Sequence, residues 1–84
     1  MKVVEVCTGK WYGKRKEQFE WHNPDQKNDA TIEKFGEWPF TLPSKIIVPA
    51  GAKLQCGLKD KAGSYEYNVN PCKMLGNPKT VVIG

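Results

Sequence analysis

The sequence has few of the residues on which catalytic and metal sites usually depend. Its 84 residues include one histidine, His22, and three cysteines, Cys7, Cys56 and Cys72, without a Cys-x-x-Cys pair. It also lacks a glycine-rich phosphate loop, a His-Glu-x-x-His sequence and a paired-carboxylate motif. Nothing in the spacing places a cysteine beside His22, as Cys–His catalysis would require. We therefore expect a protein that is not an enzyme.

Long apolar runs are also missing. None approaches the roughly 18 apolar residues that a membrane-spanning helix needs, so we expect a soluble chain without a transmembrane segment. The first five residues lack the apolar stretch of a signal peptide, although a mature secreted or periplasmic domain would look the same. The length predicts a single domain over residues 1–84. The localisation is left open.

Acidic residues are scarce in the second half of the chain. Residues 43–84 hold six lysines against Asp60 and Glu66, whereas residues 1–42 are balanced, and the net charge is +4. A weakly basic surface attracts anionic partners of many kinds. The charge alone therefore does not identify a partner.

Period-two alternation predicts strands in the second half. The inward-facing residues of two successive strands are Leu54, Cys56 and Leu58, then Tyr65, Tyr67 and Val69. A hairpin register would set Leu58 opposite Tyr65, Cys56 opposite Tyr67 and Leu54 opposite Val69. A last strand, Thr80–Ile83, follows the Gly76–Pro78 break.

The first half also has the pattern of short strands. We expect strands at Lys2–Cys7, Phe19–Trp21 and Lys45–Val48. A turn carries Trp11 and Tyr12, and Gly36–Pro43 has the prolines of a loop. Around Ala30 and Ile32 we favour a short irregular strand over the alternative, a helix across residues 29–35. About seven strands punctuated by Gly and Pro predict an all-β fold, either a small sandwich or a Greek-key barrel.

The three cysteines allow several states. We favour inert core thiols, with Cys56 facing inward, over one disulfide, and both over a metal or redox role. The pairing among Cys7, Cys56 and Cys72 does not follow from the spacing, which matches no zinc framework.

Four short segments, taken together, match the motifs of a known protein family. They are Phe19–Asn23, Pro49–Gly51, Gly63–Tyr67 and Lys79–Ile83. With them the chain resembles the cupredoxin family, through the strand before its first copper loop, its Pro-Gly turn, its Gly-x-Tyr-x-Tyr strand and its final strand. The resemblance covers about two-thirds of the chain. It implies a cupredoxin-like Greek-key β-sandwich.

The copper ligands of that family are absent from the matching positions. Copper-binding members use a His, a Cys, a second His and an axial Met. On this sequence those positions fall near Asp29, on Val69, on Cys72 and near Asn77. The resemblance therefore implies a scaffold without type 1 copper and without another cofactor. The alternative is a metal-binding or electron-transfer protein that holds copper with His22 and Cys72, with Met74 as a further candidate ligand.

Two aromatic segments are the candidate binding residues. The first combines flat rings with cations, in Trp11, Tyr12, Lys14, Arg15 and Lys16, and the second contains Trp38. Rings beside cations can stack on sugars or bases and attract phosphates. The competing interpretation is that the rings close the two ends of a sandwich and the lysines form a solvated face.

We therefore predict a non-enzymatic binding or interaction module whose ligand or protein partner the sequence does not identify. Paired aromatics on adjacent strands, which single-stranded nucleic acid binding would favour, are not discernible, and this argues against nucleic acid. A structural role is the third hypothesis, in which an edge strand such as Lys2–Cys7 or Thr80–Ile83 pairs with a second copy. The oligomeric state is left open.

Overall fold

A computed structural model of the chain describes residues 1–72 and 76–84, and in these ranges the regular secondary structure is entirely β-strand. The strands are β1 (Lys2–Glu5), β2 (Lys10–Gly13), β3 (Gln18–His22), β4 (Ala30–Lys34), β5 (Ile46–Val48), β6 (Lys53–Gly57), β7 (Gly63–Asn70) and β8 (Lys79–Ile83). The predicted all-β fold is confirmed, and β4 takes the place of the alternative helix.

The strands form two sheets. Sheet A has the order β1-β3-β6, and sheet B has the order β2-β8-β7-β4-β5. β1 runs parallel to β3 and β2 runs parallel to β8, while the remaining neighbours are antiparallel. The buried side chains of both sheets lie between them, which confirms a β-sandwich. Its Greek-key connection stays a prediction.

The predicted hairpin between the strands of Leu54–Leu58 and Tyr65–Val69 is wrong. β6 pairs with β3 in sheet A, so that Cys56 lies opposite Phe19, whereas β7 pairs with β4 and β8 in sheet B. The connection between β6 and β7 therefore crosses from one sheet to the other. The alternation did identify the buried face correctly, since Cys56 and Tyr67 both point into the core. A buried face constrains side-chain direction but not the choice of partner strand.

A strand stands where the sequence predicted a turn. Trp11 and Tyr12 belong to β2, which adds an eighth strand to the seven expected and pairs with β8. Residues on a strand alternate between the two faces of a sheet. Trp11 is therefore only 7% exposed, and Tyr12 is 63% exposed. Because β8 lies between β2 and β7, the segment Thr80–Ile83 is not an edge that could pair with a second copy.

Aromatic side chains fill the space between the sheets. Trp21, on β3, packs against four other rings. The distances from its ring centroid to theirs are 5.0 Å for Phe19, 5.2 Å for Phe40, 5.8 Å for Tyr67 and 5.9 Å for Trp11. These contacts are edge-to-face, the arrangement that the charge distribution of aromatic rings favours. Trp11 Nε1 donates a buried hydrogen bond of 2.8 Å to Tyr67 Oη. Burial raises the pKa of the Tyr67 hydroxyl, which therefore stays neutral.

A disulfide joins Cys7 to Cys72, with their Cα atoms 5.6 Å apart. The favoured expectation of three inert thiols was therefore wrong for these two residues. Cys56 is a buried free thiol, as expected. Burial raises the pKa of the Cys56 thiol, an effect that the indole N–H of Trp21 beside its sulfur partly offsets.

The first prediction concerns this disulfide. The two cysteines are 65 residues apart, and constraining a loop of that length in the unfolded chain stabilises the fold by about 4 kcal/mol. We expect the double variant Cys7→Ser with Cys72→Ser to lose about that amount in urea unfolding. Reductant should lower the stability of the unmodified protein to the level of the variant and leave the variant unchanged. Equal stability of oxidised and reduced protein would contradict this expectation.

The second prediction compares two neighbours on β2. Trp11→Ala removes a buried ring and its hydrogen bond to Tyr67, so we expect it to reduce the free energy of unfolding by about 3–5 kcal/mol. Tyr12→Ala changes an exposed ring and should cost less than about 0.5 kcal/mol. Urea unfolding of both variants measures the difference. Equal losses would show that β2 is not oriented as described.

Candidate binding groove

One end of the sandwich, which we call the ligand rim, is formed by the loops after β1, β3, β5 and β7. This is the end at which the cupredoxin resemblance places the copper ligands. The Cys7–Cys72 disulfide ties the loop after β1 to the loop after β7 there. The rim is thus held together by a covalent bond between two of its loops.

The residues at the family's ligand positions do not fit a type 1 copper site. Val69 is a fully buried apolar residue, and Asn77 Oδ1 accepts a 2.9 Å hydrogen bond from its backbone N–H. Asn77 Nδ2 donates back to the Val69 carbonyl at 3.2 Å. Cys72 has its sulfur in the disulfide, so no thiolate is available there while that bond is intact. Asp29 accepts a hydrogen bond from the Ala50 N–H at 3.0 Å.

Among the alternative copper ligands, His22 contacts an acidic side chain. His22 lies on the outer face of sheet A, where its Nδ1 is 3.4 Å from Glu5 Oε2. Met74 lies outside the described residues. Among residues 1–72 and 76–84, no group of three or more His, Cys, Asp or Glu side chains is placed to hold a metal ion.

A buried asparagine organises the rest of the ligand rim. Asn23, 2% exposed, donates from Nδ2 to the carbonyls of Asn28 at 2.8 Å and Val48 at 3.1 Å. Its Oδ1 accepts from the Asp25 N–H at 3.1 Å, forming the turn that an asparagine side chain stabilises after a strand. Asn23 therefore connects the loops after β3 and β5 without a metal.

A groove of about 480 Å³ lies along the side of the sandwich, between β1 and β2. Its walls are Lys2–Glu5 of β1, Thr8 of the connecting loop, and Trp11 and Tyr12 of β2. β1 and β2 are consecutive in the chain but are edge strands of opposite sheets, so the gap between them stays open. We call this feature the β1–β2 groove.

The two ends of the β1–β2 groove are different. At one end Lys2 Nζ reaches across from β1 and donates a 2.6 Å hydrogen bond to the Tyr12 carbonyl. The same ammonium lies 5.7 Å from the centre of the Trp11 ring and 3.5 Å from Glu17 Oε1. At the other end the wall is Thr8, directly after Cys7 of the disulfide. The groove is therefore bounded by the Lys2 side chain at one end and a cross-linked loop at the other.

Positive charge is concentrated beside β2. Lys10 Nζ lies 5.6 Å from the centre of the exposed Tyr12 ring, and Lys14 and Arg15 follow in an exposed turn. Glu17 holds that turn, because the Lys14 N–H donates to its Oε1 at 2.8 Å. That hydrogen bond, with a smaller contribution from Lys2, lowers the pKa of the Glu17 carboxyl.

The structure brings only part of the predicted binding set together. Trp11 and Tyr12 both line the β1–β2 groove, and Lys14 and Arg15 lie in the turn that follows. Lys16 points to the loop after β6, where its Nζ is 3.6 Å from Asp60 Oδ2. A binding role for each of these residues stays a prediction.

Trp38 lies apart from this set, in the loop after β4. Its Nε1 donates to the Leu42 carbonyl at 2.7 Å, and its ring packs edge-on against Phe40 at 5.1 Å. These contacts hold the loop against the core, the role that the competing interpretation assigned to the aromatic rings. Its binding role is likewise untested.

The β1 wall of the groove was missed at the sequence level. The sequence predicts a strand at Lys2–Cys7 but no binding surface on it, whereas Lys2–Glu5 of β1 lines the groove. The local sequence holds no signal for it, because the wall exists only where two edge strands of different sheets come close.

Comparison with known proteins bears on the fold. No family model and no curated protein matches the sequence. Among solved structures, amicyanin from Paracoccus versutus (Thiobacillus versutus) is similar with a TM-score of 0.65 and 18% identity, over 99% of this chain and 80% of that chain. A reduced Cu(I) form of an amicyanin variant at pH 4 is similar with a TM-score of 0.63 and 15% identity, over 99% of this chain and 81% of that chain. An oxidized amicyanin variant has a TM-score of 0.63 and 16% identity, with the same coverage of each chain.

These similarities extend over nearly the whole chain at low sequence identity, so they concern its fold and not its ligand. Amicyanin is a cupredoxin. The fold of this chain is therefore the cupredoxin-like β-sandwich that the sequence segments predicted.

Proposed function

We propose that the chain is a non-enzymatic binding module on a copper-free cupredoxin-like scaffold, and that its ligand binds in the β1–β2 groove. The observation that carries this proposal is the groove itself. Its volume of about 480 Å³ lies within the range of roughly 300–1,000 Å³ that is typical of ligand sites. Trp11 and Tyr12, two of the residues that the sequence singled out, form one wall of it.

The lining favours a ligand with both apolar and anionic parts. Val3 is 45% exposed and Tyr12 is 63% exposed, so both offer apolar surface that ligand binding would bury. Lys10 beside the Tyr12 ring supplies a cation for an anionic group. An apolar wall with a few charged groups at its border is the usual composition of a binding site.

The disulfide supports a localisation outside the reducing cytosol. Disulfides such as Cys7–Cys72 form and persist mainly in oxidising compartments. We therefore propose that the module acts as a secreted or periplasmic protein. Within the described residues, no helix is long and apolar enough to cross a membrane.

Copper binding is the second candidate function, because the similar solved structures include a Cu(I) protein. A type 1 site requires a cysteine thiolate. The sulfur of Cys72 is in a disulfide, and Cys56 is buried with a raised pKa. The residues present therefore give poor support to this function, and we rank it below ligand binding.

The third prediction tests copper directly. Titration of the oxidised protein with Cu(II) should produce no intense visible band from a copper–thiolate bond, because neither Cys7 nor Cys72 offers a thiolate. The measurement is a visible absorption spectrum, with the double variant Cys7→Ser, Cys72→Ser as the matched control because Cys72→Ser alone would free the Cys7 thiol. An intense band in the unmodified protein that is lost in the double variant would establish the copper function in place of ours.

The fourth prediction tests the groove with a library of small aromatic and amphiphilic fragments. In ¹H–¹⁵N spectra, fragments that bind should shift the amide signals of Val3, Thr8 and Tyr12 together, since these residues line one cavity. Tyr12→Ala should weaken such binding, while Phe35→Ala, a change at another exposed ring, should not. Fragments that shift only residues at the ligand rim, or no residues, would overturn the proposed function.

A further inference from the structure

The outer edge of β2 presents backbone groups to the β1–β2 groove. Alternate residues of a strand direct their N–H and C=O groups to the same neighbour. The Gly9 carbonyl accepts from the Thr80 N–H at 2.9 Å, and the Gly13 carbonyl accepts from the Gly84 N–H at 2.8 Å. Lys10 and Tyr12 therefore direct their backbone groups away from β8 and toward the groove. The Tyr12 carbonyl confirms this direction, because it accepts from Lys2 Nζ.

β1 presents an edge to the same groove, but its charge is different. The Val6 N–H donates to the His22 carbonyl at 3.0 Å, so alternation directs Val3 and Glu5 away from β3. The Glu5 carbonyl is already bonded to the Thr8 N–H at 3.0 Å. β1 carries Glu5 as well as Lys2, whereas β2 carries Lys10 and is followed by the exposed cations Lys14 and Arg15. An anionic ligand is therefore attracted to the β2 side.

We propose that the β1–β2 groove accepts an extended peptide segment of alternating apolar and acidic residues, which pairs with the edge of β2 as an added strand. This inference rests on the proposed function, that the groove is a ligand site. Addition of a strand to an exposed sheet edge is a general mode of peptide recognition, in which backbone hydrogen bonds supply affinity and alternate side chains supply specificity.

The two faces of the added strand would meet different surroundings. On β2, Trp11 points between the sheets, and Lys10 and Tyr12 point outward. The same alternation in the peptide places one set of side chains in the groove against Trp11 and the other set beside Lys10. Apolar residues suit the first position and acidic residues suit the second. Lys2 Nζ would leave the Tyr12 carbonyl and remain close to the acidic groups.

Two other occupants fit the same observations less well. A second copy of the chain pairing β2 with β2 would bring Lys10 and its neighbouring cations against their equivalents, and like charges directly opposite destabilise a sheet. A sulfated polysaccharide would satisfy the cations but has no backbone to pair with the groups that Lys10 and Tyr12 direct into the groove. The peptide uses both features.

The test uses a capped eight-residue peptide of alternating valine and glutamate, titrated into the ¹⁵N-labelled oxidised protein. Two N-methylated forms are matched controls, one methylated on the valines and one on the glutamates. Only one of these two sets can direct its N–H groups to β2, so one form should lose at least about 10-fold in affinity and the other should bind nearly as the parent does. Loss in the glutamate-methylated form indicates an antiparallel strand, and loss in the valine-methylated form a parallel one.

Charge reversal is the second arm. Lys10→Glu combined with Lys14→Glu should weaken the peptide by about 3- to 10-fold, because these are solvent-exposed charges. Lys34→Glu, at the end of β4, is the matched control and should leave affinity unchanged. A peptide of alternating valine and lysine should bind the doubly reversed variant better than it binds the unmodified protein.

Each opposite result has a definite meaning. If fragments bind the groove but the peptide does not, the strand-addition inference fails and the proposed function stands; if neither binds, both fail. Equal effects of the two methylated forms would overturn strand pairing. Tighter binding of a heparin fragment than of the peptide would identify a polyanion site. Concentration-dependent dimerisation that shifts the amide signals of Lys10 and Tyr12 would identify a second copy as the occupant.

Discussion

The packing of Trp21 between the two sheets is the interaction on which the rest of the structure depends. Its ring extends from β3 of sheet A and contacts Trp11 and Tyr67 of sheet B, together with Phe40 from the loop after β4. A small domain buries only about 60–65% of its unfolded surface, so a few large rings must supply much of its hydrophobic stabilisation. Trp11 meets Trp21 from sheet B, where β2 pairs with β8. β1 and β2 are therefore edges of different sheets, and the groove lies between them.

Side-chain alternation made the buried faces of the strands predictable, whereas the pairing of the strands could not be predicted from the sequence. The inward direction of Cys56 and Tyr67 follows from period-two patterns that any sheet imposes. Their assignment to a hairpin failed because consecutive strands pair often but not always, and here the chain crosses between the sheets instead. The pairing of Cys7 with Cys72 could not be predicted from the sequence either, because the two residues are 65 positions apart and come together only in the folded sheets.

The sequence predicted Tyr12 as a candidate binding residue but did not predict the residues that surround it in the groove. An aromatic residue among cations is visible in the sequence, and the structure places it at an exposed edge. Reading the segment as a turn gave Trp11 and Tyr12 equal standing, although a strand necessarily sends neighbours to opposite faces. Lys2 and Val3 complete the groove from another sheet. Only tertiary structure relates these residues, so no motif in the local sequence could have marked them.

Several groups at the ligand rim hold its loops together, which supports our proposal that binding occurs at the side of the sandwich. In a copper site, metal–ligand bonds connect separate loops and hold them in a fixed arrangement. Here Asn23 connects the loops after β3 and β5, Asn77 holds the backbone of Val69, and the disulfide joins Cys72 to the loop after β1. The polar and sulfur groups at the rim are thus used in holding the loops. In our proposal, the edge of β2 supplies backbone groups that face the groove and exposed cations beside it. A partner that supplies acceptors, donors and negative charge in one extended chain complements that edge.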